Sequence, residues 1–213
     1  MKKIRLFLFL FNLLADIASA QQVIFSEADR DEFRIRAKQL IEDFQMQLAT
    51  IVSNTGVSDA SKNIAMANAL ECFIGKGDAF EYTDEEGKRM MHTPVKLVMR
   101  DQYGKRMTRP LKNFLKMLKN TITQDEAIRI ESIDIIMLKS VNIEDGKYNA
   151  LASYLDKFSS IKDGCVVYQD VTERRIRLPI EKEVIILPNG EEQAVWPVFL
   201  GDVYIKLNKK KDD

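Results

Sequence analysis

Residues 128–137 read Ile-Arg-Ile-Glu-Ser-Ile-Asp-Ile-Ile-Met, and the spacing of their apolar side chains decides the fold. From Ile128 onward the period is two. Ile133, Ile135 and Met137 alternate with Asp134 and Ile136. Successive side chains of an extended strand point to opposite faces, so this spacing predicts strand. Upstream the period is different. Phe33, Ala37, Leu40, Ile41, Phe44, Leu48, Ile51 and Val52 fall three, four or one residue apart. That is one stripe of an amphipathic helix. Ser26, with Asp29 three residues on, resembles a capping box at its start. Asn54 and Gly56 end it. Ser58 or Ser61 caps a second helix, with Ile64, Ala67, Leu70 and Ile74 on one face and a stop at Gly75 and Gly77.

Outward from these two patterns the chain fills in. Residues 82–89 are polar and include Gly87, which reads as a loop or hairpin tip. Residues 95–99 form a short strand, and 101–104 a turn. Pro110 stands where a third helix can begin, because its missing N–H costs nothing there. Leu111, Phe114, Leu115 and Leu118 make one face of that helix; Lys112, Lys116 and Lys119 make the other. Tyr148, Ala150, Ala152 and Tyr154 alternate with polar and apolar neighbours, although a helix over residues 148–158 fits too. Lys162-Asp163-Gly164 is a hairpin signal. Ile176, Leu178 and Ile180 alternate with Arg175, Arg177 and Pro179, and Pro179 favours an edge or a bulge. Residues 195–204 read as a final, central strand. Helices precede strands, so the class is α+β: N-terminal amphipathic helices packed on a curved, mostly antiparallel sheet.

The first twenty residues stand apart. Lys2, Lys3 and Arg5 precede a nine-residue, mostly apolar run at 6–14, and Ala18, Ser19 and Ala20 follow. This is the order of a secretory signal peptide. A membrane span needs about 20 apolar residues, so the run is too short to stay as an anchor. The expectation is a leader at 1–20 and a single α+β domain at 21–213, exported to the periplasm or beyond. Without the leader's three basic residues and one acid, 29 basic and 31 acidic side chains remain, a formal charge of −2. That balance argues against a nucleic-acid partner. Lys209 to Lys211, followed by two aspartates, read as a solvated end.

The chemistry is mostly exclusion. His92 is the one histidine. A histidine-based zinc site needs more ligands than one His and two distant Cys supply. Cys72 and Cys165 stand 93 positions apart. An exported chain permits a disulfide between them, but spacing does not say whether their Cα atoms come within bonding range. The alternative is two small buried residues. Gly75-Lys76-Gly77 lacks the spacing of a phosphate loop and reads as a helix stop. The acids at 84–86 lack the alternation of a calcium loop. Asp134 lies in an apolar strand. Facing inward, it would be a pocket acid with a raised pKa; facing outward, it would be a solvated spacer. Asp202 reads the same way. Tyr148, Tyr154, Phe158, Tyr168 and Trp196 line a pocket or pack in the core. No cofactor motif stands out.

The order of elements from Ser26 to Lys206 resembles the nuclear transport factor 2-like cone. The stretches Phe73-Ile74-Gly75-Lys76-Gly77, Arg109-Pro110-Leu111-Lys112 and Leu200-Gly201-Asp202-Val203 look like segments of uncharacterised exported bacterial proteins. The resemblance implies a curved sheet around the long helix, with a cavity at its open end. Some members of that fold are isomerases or dehydratases that use a pocket Asp or His with a Tyr; here Asp134 and Tyr154 would take those places. Others are binding or accessory modules. Fold alone does not choose between them. The sequence leaves enzyme status open and leans to the noncatalytic side. The reading is an exported binding or accessory module of the bacterial envelope, with a small apolar ligand or an envelope protein as partner. The alternative is a small-molecule lyase or isomerase.

Overall fold

The computed structural model describes residues 25–53, 56–83, 87–100, 105–121, 126–138, 141–144 and 147–206. Within these, the side chains of 121, 126–127, 132–138, 143–144, 147 and 206 are outside the description. The predicted leader at 1–20, Asn54, the acidic run at 84–86, the predicted turn at 101–104 and the lysines at 209–211 also fall outside it. The chain divides into two compact units, Met1–Asp31 and Glu32–Asp213. The Ser26–Asp29 cap lies within the first, and the packing described below belongs to the second.

Helix α1 (Glu27–Val52) begins with the expected reciprocal cap. The Ser26 backbone N–H donates to Asp29 Oδ2 at 2.7 Å, and the Asp29 N–H donates to Ser26 Oγ at 3.2 Å. All eight residues of the predicted stripe are buried. Helix α2 (Asp59–Glu71) starts at Ser58, whose Oγ accepts from the Ser61 N–H at 3.1 Å. Its buried face differs from the expected one. Ile64 is 61% exposed, and Ala65, Ala69 and Cys72 are buried instead. Small side chains at that spacing let the helix lie close to its neighbours, and the larger Ile64 faces outward. Gly75, Lys76 and Gly77 then take left-handed backbone, with φ of 57°, 53° and 76°, and turn the chain sharply. A Cβ at Gly75 would run into the Phe80 ring, so glycine is required there.

Strands β1 (Phe80–Thr83) and β2 (Arg89–His92) form the expected hairpin. Strands β3 (Lys96–Arg100) and β4 (Arg106–Pro110) lead into α3 (Leu111–Thr121), which starts directly after Pro110. Next come β5 (Glu126–Leu138), β6 (Asn142–Glu144), β7 (Lys147–Lys162) and β8 (Cys165–Ile180). Residues 148–158 are therefore strand. Pairing on both flanks, with β5 and β8, satisfies their backbone in extended form. Asp163 and Gly164, with φ of 51° and 78°, close a two-residue turn whose handedness matches the strand twist. A small hairpin, β9 (Glu183–Ile186) and β10 (Glu192–Val195), follows, and then β11 (Val203–Lys206).

The main sheet runs β4-β3-β11-β8-β7-β5, with β6 on β7. Every pair is antiparallel except β3 with β11. The protein is α+β, with α1 packed on this sheet. The predicted single strand at 195–204 is broken in two. Pro197 has no N–H to donate, and between β10 and β11 only Val198 and Leu200 make single bridges. Only β11 is central. Pro179 lies beyond the reach of β11, where its carbonyl accepts from the Phe199 N–H at 3.0 Å. No ladder bond is demanded of its ring nitrogen there.

Candidate functional site

Two places gather chemistry. The first is an open-sided groove of about 390 Å³ between one end of α1 and residues 195–198. Glu32, Phe33, Ile35, Arg36 and Gln39 line it from the helix, and Trp196 with its neighbours lines it from the other side. Its surface is mainly apolar, with a charged margin at Glu32 and Arg36. The position of Trp196 is set by Tyr148, whose ring meets it edge-on at 5.3 Å. Lys182 Nζ sits 5.9 Å above the indole, close enough for a cation–π attraction.

The second place lies under α1. Tyr154 and Asp156 point from β7, and Arg174 and Thr172 stand opposite them on β8. Asp156 is 1% exposed, the Arg174 side chain 11% and Tyr154 0%. Gln45 closes the cluster from the helix: its Nε2 donates to Asp156 Oδ1 at 2.5 Å. Arg174 Nε lies 2.5 Å from Asp156 Oδ2, off the hydrogen-bond axis, so the contact is an ion pair without hydrogen-bond geometry. The Tyr154 hydroxyl has no hydrogen-bond partner among the described residues. Burial pushes the Asp156 carboxyl above its ordinary range; the Arg174 charge and the Gln45 amide pull it back. Burial also pushes the Tyr154 hydroxyl up, opposed by Arg174 and aided by Asp156.

One irregularity builds this cluster. From the turn, Lys162 pairs with Cys165 and Ile161 with Val166. The register then shifts, and Ser160 pairs with Tyr168, which leaves Val167 as an extra residue on β8. Beyond the bulge, Tyr154 faces Arg174 and Asp156 faces Thr172. Without it, Arg174 would face Ser153 and turn to the other side of the sheet, since a one-residue slip reverses every side chain.

The residues singled out in the sequence are scattered. Asp134 pairs with Leu155 and Ile135 with Tyr154, so Asp134 and Tyr154 occupy successive cross-strand positions. The Asp134 side chain is outside the described residues. Cys72 and Cys165 are both free. Cys72 is buried where α2 ends, and Cys165 is exposed at the tip of the β7–β8 hairpin. Burial raises the Cys72 thiol pKa to about 11, so it is a poor nucleophile. His92 is half-buried. It lies in β2 and stacks on Phe80 at 4.9 Å. Asp202 acts as a backbone clamp: its Oδ1 accepts from the Lys96 N–H at 2.8 Å. The aromatics do not share one pocket. Phe158 meets Tyr168 edge-on at 6.1 Å, while Tyr154 lies in the core. Among the described residues, no three His, Cys, Asp or Glu side chains gather as a metal site. No helix there is long and apolar enough to cross a membrane.

Sequence reading passed over Gln45, Asp156 and Arg174. Gln45 was visible as a polar residue beside Phe44 on the buried stripe. No family model, curated protein or solved structure matches the chain.

Proposed function

We propose that the protein is an exported, noncatalytic binding module of the bacterial cell envelope, and that the groove beside Trp196 holds a small ligand with an apolar body and a polar end. The groove itself carries this reading. It is concave and mainly apolar, and it has a few charged groups at its margin, which is how small-molecule sites are built. The signal-like pattern at 1–20 supports export. An envelope protein docking at the same groove is the variant of this reading.

The lyase or isomerase reading keeps one observation in its favour, the wholly buried Tyr154 hydroxyl, which has no partner among the described residues. Against it, Tyr154 and Asp156 are sealed beneath α1. One experiment separates the two. Trp196 is the one tryptophan, so its emission reports the groove directly. The purified chain is titrated with a series of medium-chain fatty acids and their alcohols, and each mixture is followed for conversion by NMR. The binding reading expects a saturable change in Trp196 emission, lost in Phe33→Asp, with every ligand recovered unchanged. No saturable change ends it. Conversion abolished by Tyr154→Phe favours the enzyme.

A further inference from the structure

We infer that the outer edge of β5 pairs with the same edge of a second copy of this chain, about a two-fold axis through Ile130. Strand β5 ends the main sheet, and among the described residues its outer edge has no ladder partner. Such an edge presents a row of backbone N–H and C=O groups, a template for another strand. The opposite edge, β4, is blunted. It is five residues long, ends in Pro110 and carries Arg106 and Arg109 with no acid. Short length, proline and like charge all discourage edge pairing. Strand β5 has 13 residues, no proline and charges of both signs. From Glu126 to Ser132 it pairs with β7 without a break.

Register decides the occupant. Directly opposite residues of an antiparallel pair lie on one face. Along this edge Ile128, Arg129, Ile130 and Glu131 alternate. An axis through Ile130 sets Arg129 opposite the partner's Glu131, and Glu131 opposite the partner's Arg129. On the other face Ile130 meets the partner's Ile130, with the partner's Ile128 diagonal to it. Neighbouring registers lack this match. An axis through Arg129 or Glu131 sets like charges face to face, which is destabilising. An axis through Ile128 leaves Arg129 opposite Ala127, and one through Ser132 leaves Glu131 opposite Ile133. The edge is thus complementary to itself, as an isologous dimer requires.

Strand β7 extends both faces. Glu131 faces Lys157 across the ladder, with Nζ 3.6 Å from its carboxylate. Lys157, Glu131 and the partner's Arg129 then form one row of alternating sign. In the single chain Arg129 lies 3.4 Å from Glu131 along its own strand and stays 66% exposed. On the apolar face Ile130 stands opposite Phe158, whose ring meets Tyr168. Ile128 and Ile130 are half-buried, and pairing covers their outer sides. The register shift after Ser132 ends the regular stretch, so the contact covers residues 128–132. It stops short of Glu126 and Asp134, which the same register sets opposite each other. So short a contact makes a dimer that depends on concentration.

Sedimentation equilibrium on the full chain tests this, with Arg129→Glu and Glu131→Arg measured singly and mixed. The parent is expected to dimerise as concentration rises, and amide exchange at 128–132 to slow with it. Each single variant sets two like-charged pairs across the axis and should weaken the dimer about tenfold or more. Mixed in equal amounts, the two variants restore opposite charges at both positions, so the mixture should sediment as a dimer. If a variant does not fold, the parent's amide exchange decides alone. A parent that stays monomeric at about 1 mM overturns the inference. So does a dimer that both variants leave unchanged, a folded mixture that stays monomeric, or exchange at 128–132 that ignores concentration.

Discussion

The two ends of the β7–β8 hairpin are made of similar residues and have opposite fates. At the end under α1, Ala150, Ala152, Ile176, Leu178 and Ile180 are buried. At the turn end, Val166, Val167 and Tyr168 are half or more exposed. Both ends are strand and both are paired across the hairpin, with Val167 the extra residue at the turn end. Strand formation here is local, set by alternation and by the Asp163-Gly164 turn. Burial is not local, because it requires the helix. The exposed end therefore contributes pairing and little hydrophobic stability. The covered end contributes most of the stability and is where polar groups become costly.

The sharpest way to break this contrast is Arg174→Ala. It strips the counter-charge from Asp156 in the covered half, and losing one partner of a buried pair costs about 3–5 kcal/mol. Chemical denaturation measures it; a loss below about 1 kcal/mol would mean water reaches the pair. A matched pair of truncations comes next. Ile176→Ala should cost about 2–5 kcal/mol, while Val167→Ala should stay within about 0.5 kcal/mol, as exposed sites do. Equal costs would erase the distinction between the two ends.

The smallest effect concerns pH. Burial raises the Asp156 pKa above its value in the unfolded chain. The folded state then binds the proton more tightly, so this group adds stability as pH falls through its raised range toward 3.8. Relative to Asp156→Asn, the parent should gain stability on mild acidification. A parent that loses stability relative to the variant would show that Arg174 and Gln45 outweigh burial.

What could be read in the sequence follows the same line. The α1 stripe, the Ser26–Asp29 cap and the hairpin turn are local patterns, and each was legible. The buried face of α2 was misread because alanines leave a weak hydrophobic signature beside Ile64. The polar cluster was half visible. The alternation Ala150, Ala152, Tyr154 continues to Asp156, and Ile180, Leu178, Ile176 continues back to Arg174. Their meeting was hidden, because it depends on the extra residue Val167. No residue type announces a bulge of that kind. Of the groove, Trp196 was flagged as an aromatic; the helix wall opposite it comes from packing alone.

The parallel pair has one more consequence. Strand β11 lies between β3 and β8, yet among the described strands it comes last in chain order. Until residues 203–206 emerge from the ribosome, β3–β4 and the β5–β7–β8 meander share no backbone ladder. A nascent chain stalled before Val203 can zip its hairpins but cannot close the centre of the main sheet, so closure waits for β11.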